Sequence, residues 1–258
     1  MLSLLAEMGG KANPVPVLPD KITYTNLINC PIEINSIPIG IVKKDLSYGK
    51  LNLEDNVGYI ISGRNYDDIV PFIDRLLYIL SLSKNFNSYV FDSKYTFEEN
   101  KYNRINYINN NFDNYLKQLY DYSNSIYDIY NKNNSNKRSI KDKTKLVVVI
   151  LGLDKFYNGL SAESKKVFEN ILSQNKEIGV VNFIYIDTPS ALKKNEYNAW
   201  YKDSVDNTSG LWIGDGFSEQ NVIKISRLDK SYSLIIGNKY GYITEVGTPK
   251  FVKLIEKE

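Results

Sequence analysis

The run Lys145-Leu-Val-Val-Val-Ile-Leu151 constrains the fold more than any other stretch of the 258-residue chain. Its aliphatic residues follow one another without a polar interruption, so neither face of the strand can meet water. Such a strand belongs at the centre of a parallel sheet with helices on both faces. Ser88–Asp92 and Val180–Ile186 read the same way. Between them the apolar spacing changes to a helical period. Ile69, Phe72, Ile73, Leu76, Leu77 and Leu80 mark a helix over about 67–83. Phe112, Tyr115, Leu116, Leu119, Ser123, Ile126 and Tyr130 mark the inner face of a longer one over 111–131. Ser161–Gln174 forms a third, with Ser161 as its N-cap. Strand and helix alternate, which predicts an α/β fold with a mainly parallel sheet.

The flanks complete the expected layout. Residues 1–13 read as the end of a helix closing at Gly9-Gly10, and the prolines at 14, 16 and 19 keep the next segment extended. Residues 1–20 are thus expected to be a linker, and 21–258 a single domain. Lys21–Leu27 reads as a strand. Ser36–Val42 reads as another, placed at a sheet edge by Pro38. Residues 93–110 read as irregular and 131–143 as a basic loop. Leu211–Ile213, Val222–Ile225 and the hairpin Gly241–Val246/Lys250–Leu254 are expected to finish the sheet.

Val57–Val70 carries the most suggestive local pattern. A short strand at 57–61, a turn at Ser62-Gly63 and a helix are the setting of a P-loop, G-x-x-x-x-G-K-[ST]. Counting from Gly63 through Arg64, Asn65, Tyr66 and Asp67, the second Gly position holds Asp68. The Lys position holds Ile69 and the hydroxyl position Val70. Ile69 supplies no charge for a phosphate, and Val70 no ligand for Mg²⁺. Asp67 and Asp68 place carboxylates at the helix start, where they would compete with a phosphate for the anion-favouring end. Arg64 is the nearby cation. An ordinary strand–turn–helix with acidic capping fits the same residues.

A Walker B strand ends in acids that hold Mg²⁺. Here the strand 146–150 is followed by Leu151 and Gly152, and Asp154 falls beyond its end. Both motifs are therefore degraded on an intact scaffold. Composition removes other chemistries. The chain has no His and one Cys, Cys30, which excludes His-based catalysis and a disulfide or Cys-metal framework. A formal net charge of +2 carries no nucleic-acid footprint. No apolar run reaches the roughly 18 residues of a membrane span. The Tyr-rich helix 111–131 and Tyr197–Tyr201 with Trp200 supply aromatic side chains for either a peptide groove or the core.

Several segments together resemble a known family. They are Pro16-Val-Leu-Pro19-Asp-Lys-Ile22, Ile37-Pro-Ile-Gly40, Gly210-Leu-Trp-Ile-Gly214 and the closing stretch Gly241–Leu254. Their order and spacing resemble the FtsK/SpoIIIE-type ATPase modules of the type VII secretion protein EssC, above all the last, C-terminal module in staphylococcal and other Firmicutes forms. The resemblance covers almost the whole chain. It implies a RecA-like P-loop NTPase fold and a place in a membrane-anchored motor on the cytoplasmic side of a bacterial membrane, with this fragment itself soluble. It also implies partners: other ATPase modules of the same protein, a ring oligomer in the full-length protein, and small helical secreted substrates linked to virulence. The departures at Asp68, Ile69, Val70, Leu151 and Gly152 imply a degenerate module with no catalytic or metal-binding residue. Such a module requires no cofactor and holds ATP and Mg²⁺ weakly. A weakly active ATPase and a DNA translocase domain are the alternative readings, and the near-neutral charge counts against the second.

Overall fold

The computed structural model describes residues 17–33, 35–53, 58–98 and 101–257. The helical end expected at 1–13, most of the linker and Val57 lie outside the described residues. The described strands are β1 (Ser36–Val42), β2 (Tyr48–Asn52), β3 (Gly58–Gly63), β4 (Phe86–Asp92), β5 (Ile105–Ile108), β6 (Lys145–Leu151), β7 (Val181–Ile186), β8 (Val205–Ile213), β9 (Tyr240–Glu245) and β10 (Thr248–Leu254). They form one ten-stranded sheet in the order β2-β1-β10-β9-β8-β3-β7-β6-β4-β5. From β8 to β5 every pairing is parallel. The hairpins at the other end pair antiparallel.

The central strands bury alternate residues in two cores, one on each face. Leu146, Val148 and Ile150 face one core, and Val147, Val149 and Leu151 the other. One face is covered by α2 (Tyr66–Leu82), and α1 (Tyr24–Leu27) contributes Leu27 to the same core. The opposite face is covered by α3 (Phe112–Lys132), α5 (Ala162–Ile178) and α7 (Ala199–Ser204). Two short helices, α4 (Leu153–Gly159) and α6 (Pro189–Lys193), lie just beyond the ends of β6 and β7. The α/β class, the mainly parallel sheet and the helices on both faces are thus as expected.

Several local readings are corrected. The segment 21–27 contains α1 instead of a strand. Asn26 accepts the Thr23 N–H at 2.8 Å through its side chain, and its own N–H returns to the Thr23 carbonyl at 3.1 Å. This local exchange outweighs strand propensity. β1 is not an edge strand but lies between β2 and β10. Its Pro38 adjoins an irregularity, because the pairing with β2 slips between Pro38 and Gly40, and bulges are among the sheet positions where Pro is found. The stretch 93–110 contains β5, and 131–143 contains a 3₁₀ turn, Lys137–Ile140, that buries Ile140. Val222 and Ile223 are buried without forming a strand. Gln220 replaces the ladder, accepting both their N–H groups at 3.0 and 2.8 Å and donating to the Ile223 carbonyl at 2.7 Å. Tyr115 is exposed, off the buried stripe of α3.

Candidate functional site

In open α/β sheets, ligands bind where the parallel strands end at their carboxyl side. Here β3, β7, β6 and β4 end together, at Gly63, Ile186, Leu151 and Asp92. The expected turn at Ser62-Gly63 is displaced. Both residues belong to β3, and the connection to α2 is only Arg64-Asn65. A P-loop wraps phosphate with a run of loop N–H groups, and two residues cannot make that cradle. Asp67, Asp68, Ile69 and Val70 accordingly sit inside the first turns of α2. Ile69 is fully buried. A Cβ on Gly63 would lie 2.8 Å from the Ile213 carbonyl oxygen and 3.1 Å from Ile69 Cγ1. Gly63 therefore serves the close approach of β8 and the Ile69 side chain.

Three of the remaining residues of the pattern are engaged by other side chains of the protein. Arg64 forms an exposed ion pair with Glu219. Asn65 donates to the Asp68 carboxylate at 3.0 Å. Tyr66 turns its hydroxyl towards Thr96 Oγ1 at 3.1 Å, and burial pushes this phenol above its ordinary pKa.

At the end of β6, Leu151 is fully buried and Gly152 has a positive φ of 82°. A Cβ at 152 would meet Ser93 Oγ at 2.6 Å and Lys94 Cγ at 2.7 Å. Neither position has room for a metal-binding carboxylate. Asp154 points elsewhere, paired to Lys194 at 2.8 Å. Among the described residues no group of three His, Cys, Asp or Glu is placed to hold a metal ion.

Two buried acids define the polar centre of this strand end, and the P-loop and Walker B patterns point to neither. Asp92 is fully buried at the end of β4. Its Oδ2 accepts N–H groups from Thr96 at 2.5 Å and Phe97 at 3.2 Å, its Oδ1 accepts Lys94 N–H at 3.0 Å, and it also receives the Tyr107 hydroxyl. That carboxylate is saturated and folds the loop after β4. Burial and the hydrogen bond to Asp92 push the Tyr107 phenol far above its ordinary range.

Asp187 follows β7 and is 1% exposed. Its main-chain carbonyl accepts Ser62 Oγ at 2.7 Å, and its Oδ1 accepts Thr188 N–H at 2.9 Å. The same Oδ1 lies 2.7 Å from Lys94 Nζ. Lys94 crosses over Gly152 to reach it, with its ammonium 4.1 Å from the Tyr66 ring centroid. The signal for both acids was present in the sequence. Each closes an apolar strand, in Tyr-Val-Phe-Asp92 and Ile-Tyr-Ile-Asp187, the position from which open α/β sheets project ligand-facing groups.

Beside this cluster a pocket of about 340 Å³ opens between Arg64, Pro189, Lys193, Trp212, Gly216 and Glu219. Beyond it the segment before β9 exposes Leu228, Leu234 and Ile235, the last 90% accessible. Asp215 holds that segment by accepting N–H groups from Ile236 at 2.6 Å and Gly237 at 2.9 Å. Trp200, by contrast, is 7% exposed and packs in the core. Its ring lies 4.8 Å from Tyr157 and 5.2 Å from Phe168. Among the aromatics considered for a groove, it belongs to the core.

Comparison with solved structures places this architecture. A structure of EssC ATPases 2 and 3 from Geobacillus thermodenitrificans matches 100% of the chain with a TM-score of 0.73 at 14% identity. A cytoplasmic domain of EssC matches 100% of it with a TM-score of 0.70 at 15% identity. The chain has the fold of these ATPase modules. Thermomonospora curvata EccC ATPases 2 and 3, solved with a signal sequence peptide, match 97% of the chain with a TM-score of 0.66 at 14% identity. The chain spans about half the length of these EssC and EccC chains, 48%, 51% and 46% respectively. No family model matches the chain, and no curated protein does. No described helix is long and apolar enough to cross a membrane.

Proposed function

We propose that this chain is a degenerate ATPase module of a type VII secretion motor, used for binding and coupling instead of ATP hydrolysis. The observation that supports this reading is that the chain's own residues fill the strand end. The link from β3 to α2 is two residues long, Ile69 and Leu151 are buried, and Lys94 lies across Gly152 to Asp187. ATP and Mg²⁺ have only weak contacts to gain there. In this reading residues 21–258 are the module and 1–20 link it to a preceding one. The rest of the full-length protein provides the membrane anchor, and any ring forms through neighbouring modules. The pocket around Arg64 and Glu219 is the surface a neighbour would meet.

The substrate surface in this proposal is the exposed apolar segment beside that pocket. A helical export signal binds by laying its apolar face on such side chains. The EccC structure with its signal sequence peptide gives a precedent in the same fold. Replacing Leu234 and Ile235 together by Ser should leave the melting temperature within about 2 °C, because exposed substitutions rarely exceed about 0.5 kcal/mol. The same variant should lose binding to the motor's signal peptides. The parent should release no phosphate from ATP above background, against roughly 1 s⁻¹ for slow dedicated phosphoryl-transfer enzymes. Turnover near that rate, or unchanged peptide binding by the folded double variant, contradicts the proposal.

A further inference from the structure

We propose that Lys94 is a built-in occupant of this strand end, an internal cation seated where a bound cation would otherwise have to sit, so that the cleft is closed in cis. The inference rests on reading the strand end as a lapsed nucleotide site. The seat has three sides. Asp187, 1% exposed, gives the countercharge at 2.7 Å. The Tyr66 ring presents its π-face 4.1 Å from the ammonium, an arrangement that favours a cation. Gly152 forms the floor, and only a residue without a Cβ leaves the Lys94 stem its path.

The surroundings are built for this placement. Ser93 Oγ lies 2.8 Å from both the Leu151 and Gly152 carbonyl oxygens and pins the chain immediately before Lys94 to β6. Asp92 accepts the Lys94 N–H itself. Ser62 fixes the Asp187 main chain from β3. Lys94 therefore ties the ends of β4, β6 and β7 beside the start of α2. Of these, β6 and the start of α2 are the elements that carry the metal- and phosphate-binding motifs in an active P-loop enzyme. The chain holds them together whether or not a ligand is present.

The pair must then be coupled, because a buried carboxylate left without its cation is far costlier than a neutral pair. Lys94→Met keeps the stem and removes the charge, and it should lower the melting temperature by about 5 °C or more. Lys94→Met with Asp187→Asn should recover at least half of that loss. Where Lys94→Met fails to fold, folding of the double variant reads the same coupling. Additive losses in the double variant, or a double variant that does not fold, overturn the proposal. The second measurement fills the seat from solution. Propylammonium chloride should raise the melting temperature of Lys94→Ala relative to equal potassium chloride, and have no such effect on Lys94→Ala/Asp187→Asn. No difference between the two salts in Lys94→Ala also overturns it. These readouts are melting temperatures of the full chain. Hydrolysis by the parent would sink the proposed function and leave the coupling result standing, so the two failures are distinguishable.

Discussion

Trp200→Ala is expected to lower the melting temperature by about 6–20 °C. Truncating a buried Trp costs roughly 3–5 kcal/mol, and a domain of this size loses about 2–4 °C for each. The indole sits among Tyr157, Phe168, Tyr185 and Tyr201, with ring centroids 4.8–6.3 Å away. Those rings connect α7 to α4, α5 and β7 in one core. Trp200→Phe retains part of these contacts and should lose less. Thermal unfolding of the two variants checks this directly. An alanine variant that melts with the parent and loses only peptide binding would return Trp200 to the surface.

Ile69→Lys should destabilise by a comparable amount and restore no activity. This substitution rebuilds the P-loop lysine on paper. In the folded chain it places an ammonium in a fully buried position, against Gly63 and the core beneath α2. Burying an unpaired charge costs several kcal/mol after relaxation, so a fall of about 10 °C or failure to fold is expected. Ile69→Val, with a typical cost of about 0.5–1.5 kcal/mol, is the control for lost volume. Melting curves and phosphate release on both variants settle the point. A lysine variant as stable as the parent that hydrolyses ATP would mean a cradle exists there after all.

The scaffold was legible because its signals are large. An unbroken aliphatic run such as 146–151 admits few environments, and a 3.6-residue stripe such as Ile69–Leu80 admits one partner face. The misses were of a different kind. Lys21–Leu27 carries β-branched residues, but one Asn26 side chain bonding back to Thr23 turned it into a helix. Pro38 reads as an edge residue, but Pro is also found at bulges, and the register of β1 on β2 slips next to it. Val222-Ile223 has strand composition, and a single Gln220 supplied the bonds a neighbouring strand would have made.

At the site, the sequence showed which groups were absent from the two motifs. It did not show that the loop between Gly63 and Tyr66 had shrunk to two residues, because pattern matching assumes a loop of fixed length. Nor did it connect Lys94 with Asp187, which lie 93 positions apart and meet only when β4 and β7 are set on either side of β6. The family resemblance pointed to the correct fold, which the EssC and EccC comparisons then bore out. It carried no information on what fills the vacated motif positions.

A titration of ATP onto the full chain, with and without Mg²⁺, tests the central claim most directly. The metal has no protein ligand at Val70, Leu151 or Gly152, and Lys94 already neutralises Asp187. Binding should therefore be weak, with a Kd of about 1 mM or higher, equivalent to no more than roughly 4 kcal/mol, and Mg²⁺ should change it less than about twofold. Micromolar binding that depends on Mg²⁺ would contradict the account of a site closed by its own residues.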